Sequence, residues 1–266
     1  MEPRLFGIPA LREPVVAVLR RGPSDWFHLG AWDLPGPSYR AGSWLRGTVY
    51  PQRCDVSPDG RWFCYFALKA SAEWELGSTY VAISRMPWLS ALAAGGTQGT
   101  WTHGLHFVDD AAVWEPSDRE VGDVAKLRER FGMEITHGDS FAVDRRRGWE
   151  ETDDTPPRDP SDVWDERCNV AMEKDNGSGR TLRVSGSYAA FRSSWNHRSE
   201  AVYELDGTNL DGVQWADWSP DRNLLVATVD GRLQVRASDG DAVEWEHDLS
   251  TLEPDPAPPP GEASAW

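Results

Sequence analysis

Histidines, regularly placed aspartates and an excess of tryptophan are the residues of this chain whose types could do chemistry. His103-Gly-Leu-His106 sets two imidazoles three positions apart, with His137 further along. Zinc sites are built from such ligands, but on a strand positions i and i+3 point to opposite faces, so the spacing assigns no metal. Asp55, Asp109, Asp144 and Asp217 stand at comparable points of successive candidate repeats. Two carboxylates facing one cavity could cleave a glycosidic bond. The simpler use of each is to cap a turn through its own backbone. The sequence has no Gly-rich phosphate loop, no Gly-x-Ser-x-Gly elbow and no His-Glu-x-x-His helix. It therefore assigns no catalytic residue, no metal ligand and no cofactor.

Tryptophan is the stronger signal, with fifteen in one chain. Trp62, Trp114, Trp215 and Trp218 fall in strand patterns, where each ring can fill a large interior volume. Trp26, Trp32, Trp44, Trp101, Trp149, Trp164 and Trp195 lie near turn residues. Aromatic rings in loops stack on sugars or bases and anchor protein interfaces. The candidate binding residues are accordingly Trp101, His103 and His106 near one rim, and Trp195 and His197, with Asn196 between them, in another loop.

These residues need elements to position them, and one element recurs. Asp55-Val-Ser-Pro-Asp-Gly-Arg-Trp-Phe-Cys-Tyr-Phe66 and Asp217-Trp-Ser-Pro-Asp-Arg-Asn-Leu-Leu-Val-Ala227 each read as strand, tight turn, strand. Pro58 or Pro220 pre-sets φ at the first central position, Asp59 or Asp221 tolerates the second, and Gly60 relaxes the exit of the first turn. Ser57 and Ser219 lie 162 residues apart, close to four periods of roughly 40, the spacing of propeller blades. Beyond the second turn, Leu224 to Val229 is a near-continuous apolar run suited to a strand buried on both faces. Asp230-Gly231 and Asp239-Gly240 are hairpin signals, and the runs Leu233 to Arg236 and Val243 to His247 complete a four-stranded unit.

Weaker units are Thr102 to Trp114, turning at Asp109-Asp110; Gly138 to Trp149, turning between Arg145 and Gly148; and Tyr188 to Leu205. With those at Asp55 and Val213 they make five. The expected fold is all-β, a five-bladed β-propeller with helical and acidic loop insertions; a β-sandwich is the alternative. Two helices are expected against this background. Ser117-Asp-Arg-Glu120 is a capping box leading into Val121, Val124, Leu127 and Phe131, and Pro87 to Ala94 is apolar all round and ends at Gly95-Gly96.

Residues 211–249 resemble a blade of the tryptophan-aspartate (WD) repeat or Tol-system type of β-propeller, with Ser219-Pro220-Asp221 standing where those families carry Ser-Pro-Asp-Gly. Through Asp25-Trp-Phe-His-Leu-Gly30 the whole chain is also similar to uncharacterised bacterial proteins. The resemblance implies a repeat fold and no particular activity.

At 266 residues one all-β domain over 1–251 is the expected organisation, followed by an acidic, Pro-rich disordered tail over 252–266. The net charge of −16 is concentrated: Glu150 to Glu166 carries −7 and Leu252 to Trp266 carries −3. Both segments are proline-rich and read as solvated loop and tail. An acidic balance argues against nucleic-acid binding, which needs Lys and Arg to displace counterions. No apolar run reaches the roughly 20 residues of a membrane span, and the first residues lack a basic-then-apolar leader. Three cysteines, Cys54, Cys64 and Cys168, fit a reducing compartment, and Cys54 and Cys64 read as buried small apolar groups. The expected function is a cytoplasmic, non-catalytic protein-binding module or scaffold. The alternatives are a carbohydrate-binding or glycoside-cleaving propeller, and an acidic inhibitor or immunity-type protein that engages a basic partner through Glu150 to Glu166.

Overall fold

A computed structural model describes residues 3–69, 77–97, 99–101, 104–115, 129–135, 141–152, 169–187, 201–255 and 257–266. The chain is all-β and divides into two compact units, one formed by Gly7–Ser140 with Leu252–Trp266 and the other by Glu2–Phe6 with Phe141–Thr251. Five sheets are formed by strands largely consecutive in sequence, and none closes into a barrel.

The N-terminal sheet runs β1 (Arg4–Pro9), β2 (Val15–Arg21), β3 (Trp26–Asp33) and β4 (Ser38–Arg46) in sequence order. Val15-Val-Ala-Val-Leu19 is continuously apolar, and Val16 to Leu19 are buried on both faces of the strand, as such runs require. Gly22, at φ 114°, turns the chain into β3 and donates its N–H to the Trp26 carbonyl at 2.9 Å.

The next sheet is built on β7 (Trp62–Leu68), which pairs with both β5 (Thr48–Val49) and β6 (Asp55–Val56) on one side and with β8 (Thr79–Arg85) on the other; β9 (Ala91–Gly96) lies beyond β8. A smaller sheet follows, β10 (His106–Phe107), β11 (Ala112–Glu115) and β12 (Gly132–Ile135), in which β11 and β12 run parallel. Between β10 and β11 the Asp109 carboxylate accepts the Ala111 and Ala112 N–H groups at 2.7 and 2.9 Å, the turn expected at Asp109-Asp110. Trp62, Phe66, Val81, Ile83, Phe107 and Phe131 form the aromatic-rich core of these strands. Cys54 and Cys64 are buried free thiols, and burial pushes the Cys54 thiol pKa up.

In the second unit β13 (Glu150–Glu151), β14 (Asn169–Asp175), β15 (Thr181–Ser187), β16 (Val202–Leu205) and β17 (Thr208–Asn209) form one antiparallel meander. A second comprises β18 (Val213–Trp218), β19 (Leu224–Thr228), β20 (Arg232–Arg236) and β21 (Val243–Asp248). All five residues of β19 are buried. Gly231 and Gly240, at φ 92° and 84°, supply the left-handed positions that their turns require.

The repeated turns close in the same way. Gly60 N–H bonds to the Ser57 carbonyl at 2.8 Å and Arg222 N–H to the Ser219 carbonyl at 2.9 Å. In each turn the serine hydroxyl accepts the N–H of the residue that re-enters the sheet, Trp62 at 2.9 Å and Asn223 at 3.0 Å.

Two expected elements differ. Pro87 to Ala94 is not a helix: Ala91–Gly96 is strand β9, paired with β8. Alanine-rich propensity in so short a segment is weak, and alternate burial at Ala93 and Gly95 against the β8 ladder outweighs it. Within Gly138 to Trp149, expected as strand, turn, strand, Ala142–Arg146 is a one-turn helix. Asp144 in its first turn and Arg145 and Arg146 in its last suit the helix dipole, and Gly148 at φ 83° ends it. The helix expected from Ser117 lies largely outside the described residues. Among those residues no helix is long and apolar enough to cross a membrane.

Candidate functional site

One face of the N-terminal sheet gathers polar and aromatic side chains. Cross-strand register places Arg20 opposite His28 and His28 opposite Trp44, so the three form one row, because directly paired residues share a face. Trp26 and Trp32 flank His28 at two- and four-residue spacing on β3 and lie on that same side. A bulge between His28 and Gly30 shifts β4 and lets Tyr39, paired with Trp32, lean across Gly30. Any Cβ at Gly30 would collide with the Tyr39 ring, so only glycine fits there.

The geometry is compact. His28 lies 4.8 Å from Trp44 and 6.2 Å from Tyr39 between ring centroids, the Arg20 guanidinium sits 5.4 Å from the Trp44 centroid, and Trp26 meets Trp44 edge-on at 6.5 Å. Arg20 and His28 are 3% and 1% exposed, whereas Trp26, Tyr39 and Trp44 are half-buried. The tryptophans thus face outward over a buried base of cation and imidazole. Beside Trp26, its cross-strand partner Arg46 pairs with Asp25 at 3.0 Å; Arg40 and Asp33, which register places with Ala31 on the opposite face, pair at 2.6 Å.

Electrostatics follow from burial. Desolvation, helped by the Arg20 charge, drives the His28 pKa down to about 4, the Ser43 backbone pulling slightly the other way without closing a hydrogen bond. His28 is therefore neutral at pH 7. Neither of its ring nitrogens has a hydrogen-bond partner among the described residues. Burial also lowers the Arg20 pKa, and it raises that of Tyr39 against the pull of Arg20. Arg20 donates a hydrogen bond to the Gly22 carbonyl. The Arg46 hydrogen bond lowers the Asp25 pKa. The row contains no nucleophile paired with a base and no pair of carboxylates. It offers aromatic surface, a buried cation and a neighbouring ion pair.

Of the residues singled out in the sequence, His106 is described with its side chain and Trp101 by its backbone. His106 lies in β10 and is 3% exposed. Trp101 ends a 3-10 turn, Gly99–Trp101, whose Thr100 carbonyl accepts a bond from Arg53 at 2.6 Å. His103, Trp195 and His197 lie outside the described residues, as do His137, Trp164 and Cys168, so no pair of the five candidates is brought together among described side chains. Of the other tryptophans, Trp62, Trp215 and Trp218 are buried. Trp32 and Trp149, read as loop residues, are also buried, while Trp26 and Trp44 occupy strands with half-exposed rings. The four aspartates cap backbone or helix: Asp55 accepts Val56 and Phe107 N–H groups at 2.8 Å each, Asp109 caps its turn, and Asp144 sits in a helical first turn. Asp217 accepts Trp218 N–H at 2.7 Å and Lys174 Nζ at 2.6 Å. Among the described residues no three His, Cys, Asp or Glu side chains converge as a metal-binding group.

Sequence reasoning missed Arg20, His28 and Tyr39 as members of one face. The signal was present in Asp25-Trp-Phe-His-Leu-Gly30, where Trp, His and Gly alternate with Phe and Leu at period two.

No protein-family profile and no curated protein matches this chain. Among solved structures it is similar to the crystal structure of uncharacterized protein lmo1340 from Listeria monocytogenes EGD-e, at 11% identity and a TM-score of 0.34 over 95% of this chain and 85% of that one. It is also similar to Saccharomyces cerevisiae Sqt1, at 10% identity and a TM-score of 0.26 over 88% and 60%. At these scores neither likeness carries a fold or an activity to this chain.

Proposed function

We propose that this protein is a non-catalytic binding module, a five-bladed β-propeller that docks a protein partner through the Trp26–Trp44 face. One observation carries the reading: two partly exposed tryptophans, backed by buried Arg20 and His28, lie beside the Arg46–Asp25 ion pair. That is the anatomy of an interface hot spot, where Trp and Arg dominate the energy and a polar rim excludes water. The five sheets of largely consecutive strands, the recurring Ser-Pro-Asp turns and the resemblance of residues 211–249 to propeller blades support the architecture. Asp55, Asp109 and Asp217 are engaged in holding backbone or a lysine, which supports a structural use for them.

The test is affinity capture from the native lysate with the unaltered protein and with Trp26→Ala/Trp44→Ala, alongside near-ultraviolet circular dichroism to verify folding. A stoichiometric protein partner captured by the first and lost at least tenfold by the second is the expected result. Equal capture by both would remove this face from the function. Retention of glycans instead of protein would favour the carbohydrate-binding alternative.

A further inference from the structure

A second aromatic surface, unrelated to the Trp26–Trp44 face, is occupied by the chain's own tail. The turn Gly261–Ser264 packs on β8, Ala263 is fully buried, and the Trp266 ring lies 5.9 Å from both Trp62 and Phe131. Two arginines frame the contact, Arg130 at 5.7 Å from the Trp266 ring and Arg61 at 5.2 Å from that of Trp62.

The attachment is shallow. Trp266 remains 45% exposed. The backbone hydrogen bonds of the tail close within it: Ala257 N–H to Asp255 at 3.0 Å, Ala263 N–H to the Pro260 carbonyl at 2.9 Å and Ala265 N–H to that of Glu262 at 3.2 Å. Among the described residues the segment makes no hydrogen bond or ion pair to the body of the protein, so side-chain burial and ring contacts alone hold it. It is tethered through Pro254, Pro256, Pro258, Pro259 and Pro260, a composition that favours extended, semi-rigid spacers over packed structure. Segments with few buried contacts and no shared backbone bonds open at the low end of the stability range.

We propose that the Trp62–Phe131 face is a peptide-binding site for a short acidic, proline-rich segment bearing a tryptophan, and that Gly261–Trp266 is its resident ligand, a plug that a partner segment of the same chemistry displaces. The chemistry is complementary on both sides. The tail carries Glu253, Asp255 and Glu262 with no Lys or Arg, and the surface it meets presents Arg130 to the Trp266 ring, with Arg61, paired with Asp59, over the Trp62 ring. A short tether supplies an effective concentration of about 1 mM, so a site of modest affinity stays filled in cis and yields only to a stronger or more concentrated competitor.

The experiment uses the full chain with a protease site in place of Pro258–Pro260, cleaved after folding. At about 1 µM, far below the tethered concentration, the cut tail should leave on gel filtration while the body keeps its circular dichroism spectrum. A synthetic 252–266 peptide should rebind, quenching or shifting tryptophan fluorescence, and the Trp266→Ala peptide should rebind at least tenfold more weakly. A tail that stays bound through dilution, or a body that unfolds once the tail leaves, would make the segment an integral part of the core and overturn the proposal. Failure of the released body to take up the peptide would also overturn it. In the uncut chain, Trp266→Ala provides a second reading: it should raise the rate of proteolysis at the tether without shifting the main thermal transition. None of these readouts depends on capture through Trp26 and Trp44.

Discussion

Asp55 in the first unit and Asp217 in the second hold the same place in the repeated element, and both are buried, at 0% and 2% exposure. Each bonds the N–H that follows it, but their second bonds differ. Asp55 accepts the Phe107 amide of β10, while Asp217 accepts the Lys174 ammonium of β14, which also lies 5.9 Å from the Trp149 centroid. One turn motif thus tolerates two ways of securing a buried carboxylate, by backbone dipoles or by an opposite charge. The first links two sheets through the Val56 and Phe107 amides. The second depends on one particular side chain of the neighbouring sheet, Lys174, and so exposes the second unit to a single substitution at that lysine.

The largest test of that difference is Asp217→Ala. It strands a half-buried lysine as well as an amide and should cost up to about 3–5 kcal/mol, read as a shift in the denaturant midpoint. Asp55→Ala orphans the Val56 and Phe107 amides and should cost about 1–3 kcal/mol. A double-mutant cycle with Lys174→Met should recover much of the Asp217 loss, and equal costs for the two aspartates would erase the contrast.

Acid should also separate the units. His28 is neutral and buried in the first, with a folded pKa of about 4 against about 6.5 for an unfolded histidine. Because the folded value is depressed, the unfolded state takes up the proton first as pH falls. The stability His28 confers is complete above about pH 6.5 and drains away towards pH 4, by up to about 3 kcal/mol. Amide-proton exchange in β2 to β4 should accelerate over that window, and His28→Phe should flatten the response.

Smaller effects sharpen the turn itself. Gly60 and Arg222 occupy the same left-handed position, at φ 70° and 67°. At Gly60 a Cβ would also come within 2.5 Å of Val15 Cγ1, so Gly60→Ala should cost about 1–3 kcal/mol. Arg222→Gly relieves strain and should gain up to about 1 kcal/mol. Thermal melts of the two variants should move in opposite directions.

Much of the second unit could be read directly from its residues. The Ser219 turn, the apolar run of β19, and Asp230-Gly231 and Asp239-Gly240 each announce themselves locally, since a turn needing φ > 0 leaves a glycine as its mark. The N-terminal sheet did not announce itself. Strand β4 is Ser-Tyr-Arg-Ala-Gly-Ser-Trp-Leu-Arg, without clean alternation, because its bulge breaks the period. Gly42 is there because the Pro87 carbonyl passes against its backbone, a reason that lies 45 residues away in the chain. The same holds for the candidate face. Trp26 and Trp44 look like loop residues beside Asp25 and Gly42, and only register shows that they share a side with Arg20 and His28. The five residues first favoured, Trp101, His103, His106, Trp195 and His197, were chosen by local clustering, which carries no information about burial. His106 shows the consequence, a polar residue drawn into the interior by its place in a two-residue strand.

The pairing of Trp62 with Trp266 has a consequence for biosynthesis. These residues stand 204 positions apart, and Phe141–Thr251, the greater part of the second unit, is encoded between Phe131 and the tail. A ribosome adding roughly 5–20 residues per second therefore leaves the Trp62–Phe131 surface bare for about 7 to 27 seconds after Phe131 is made. During that interval the nascent chain offers an apolar, arginine-framed surface to whatever attends it, before Gly261–Trp266 arrive to cover the place.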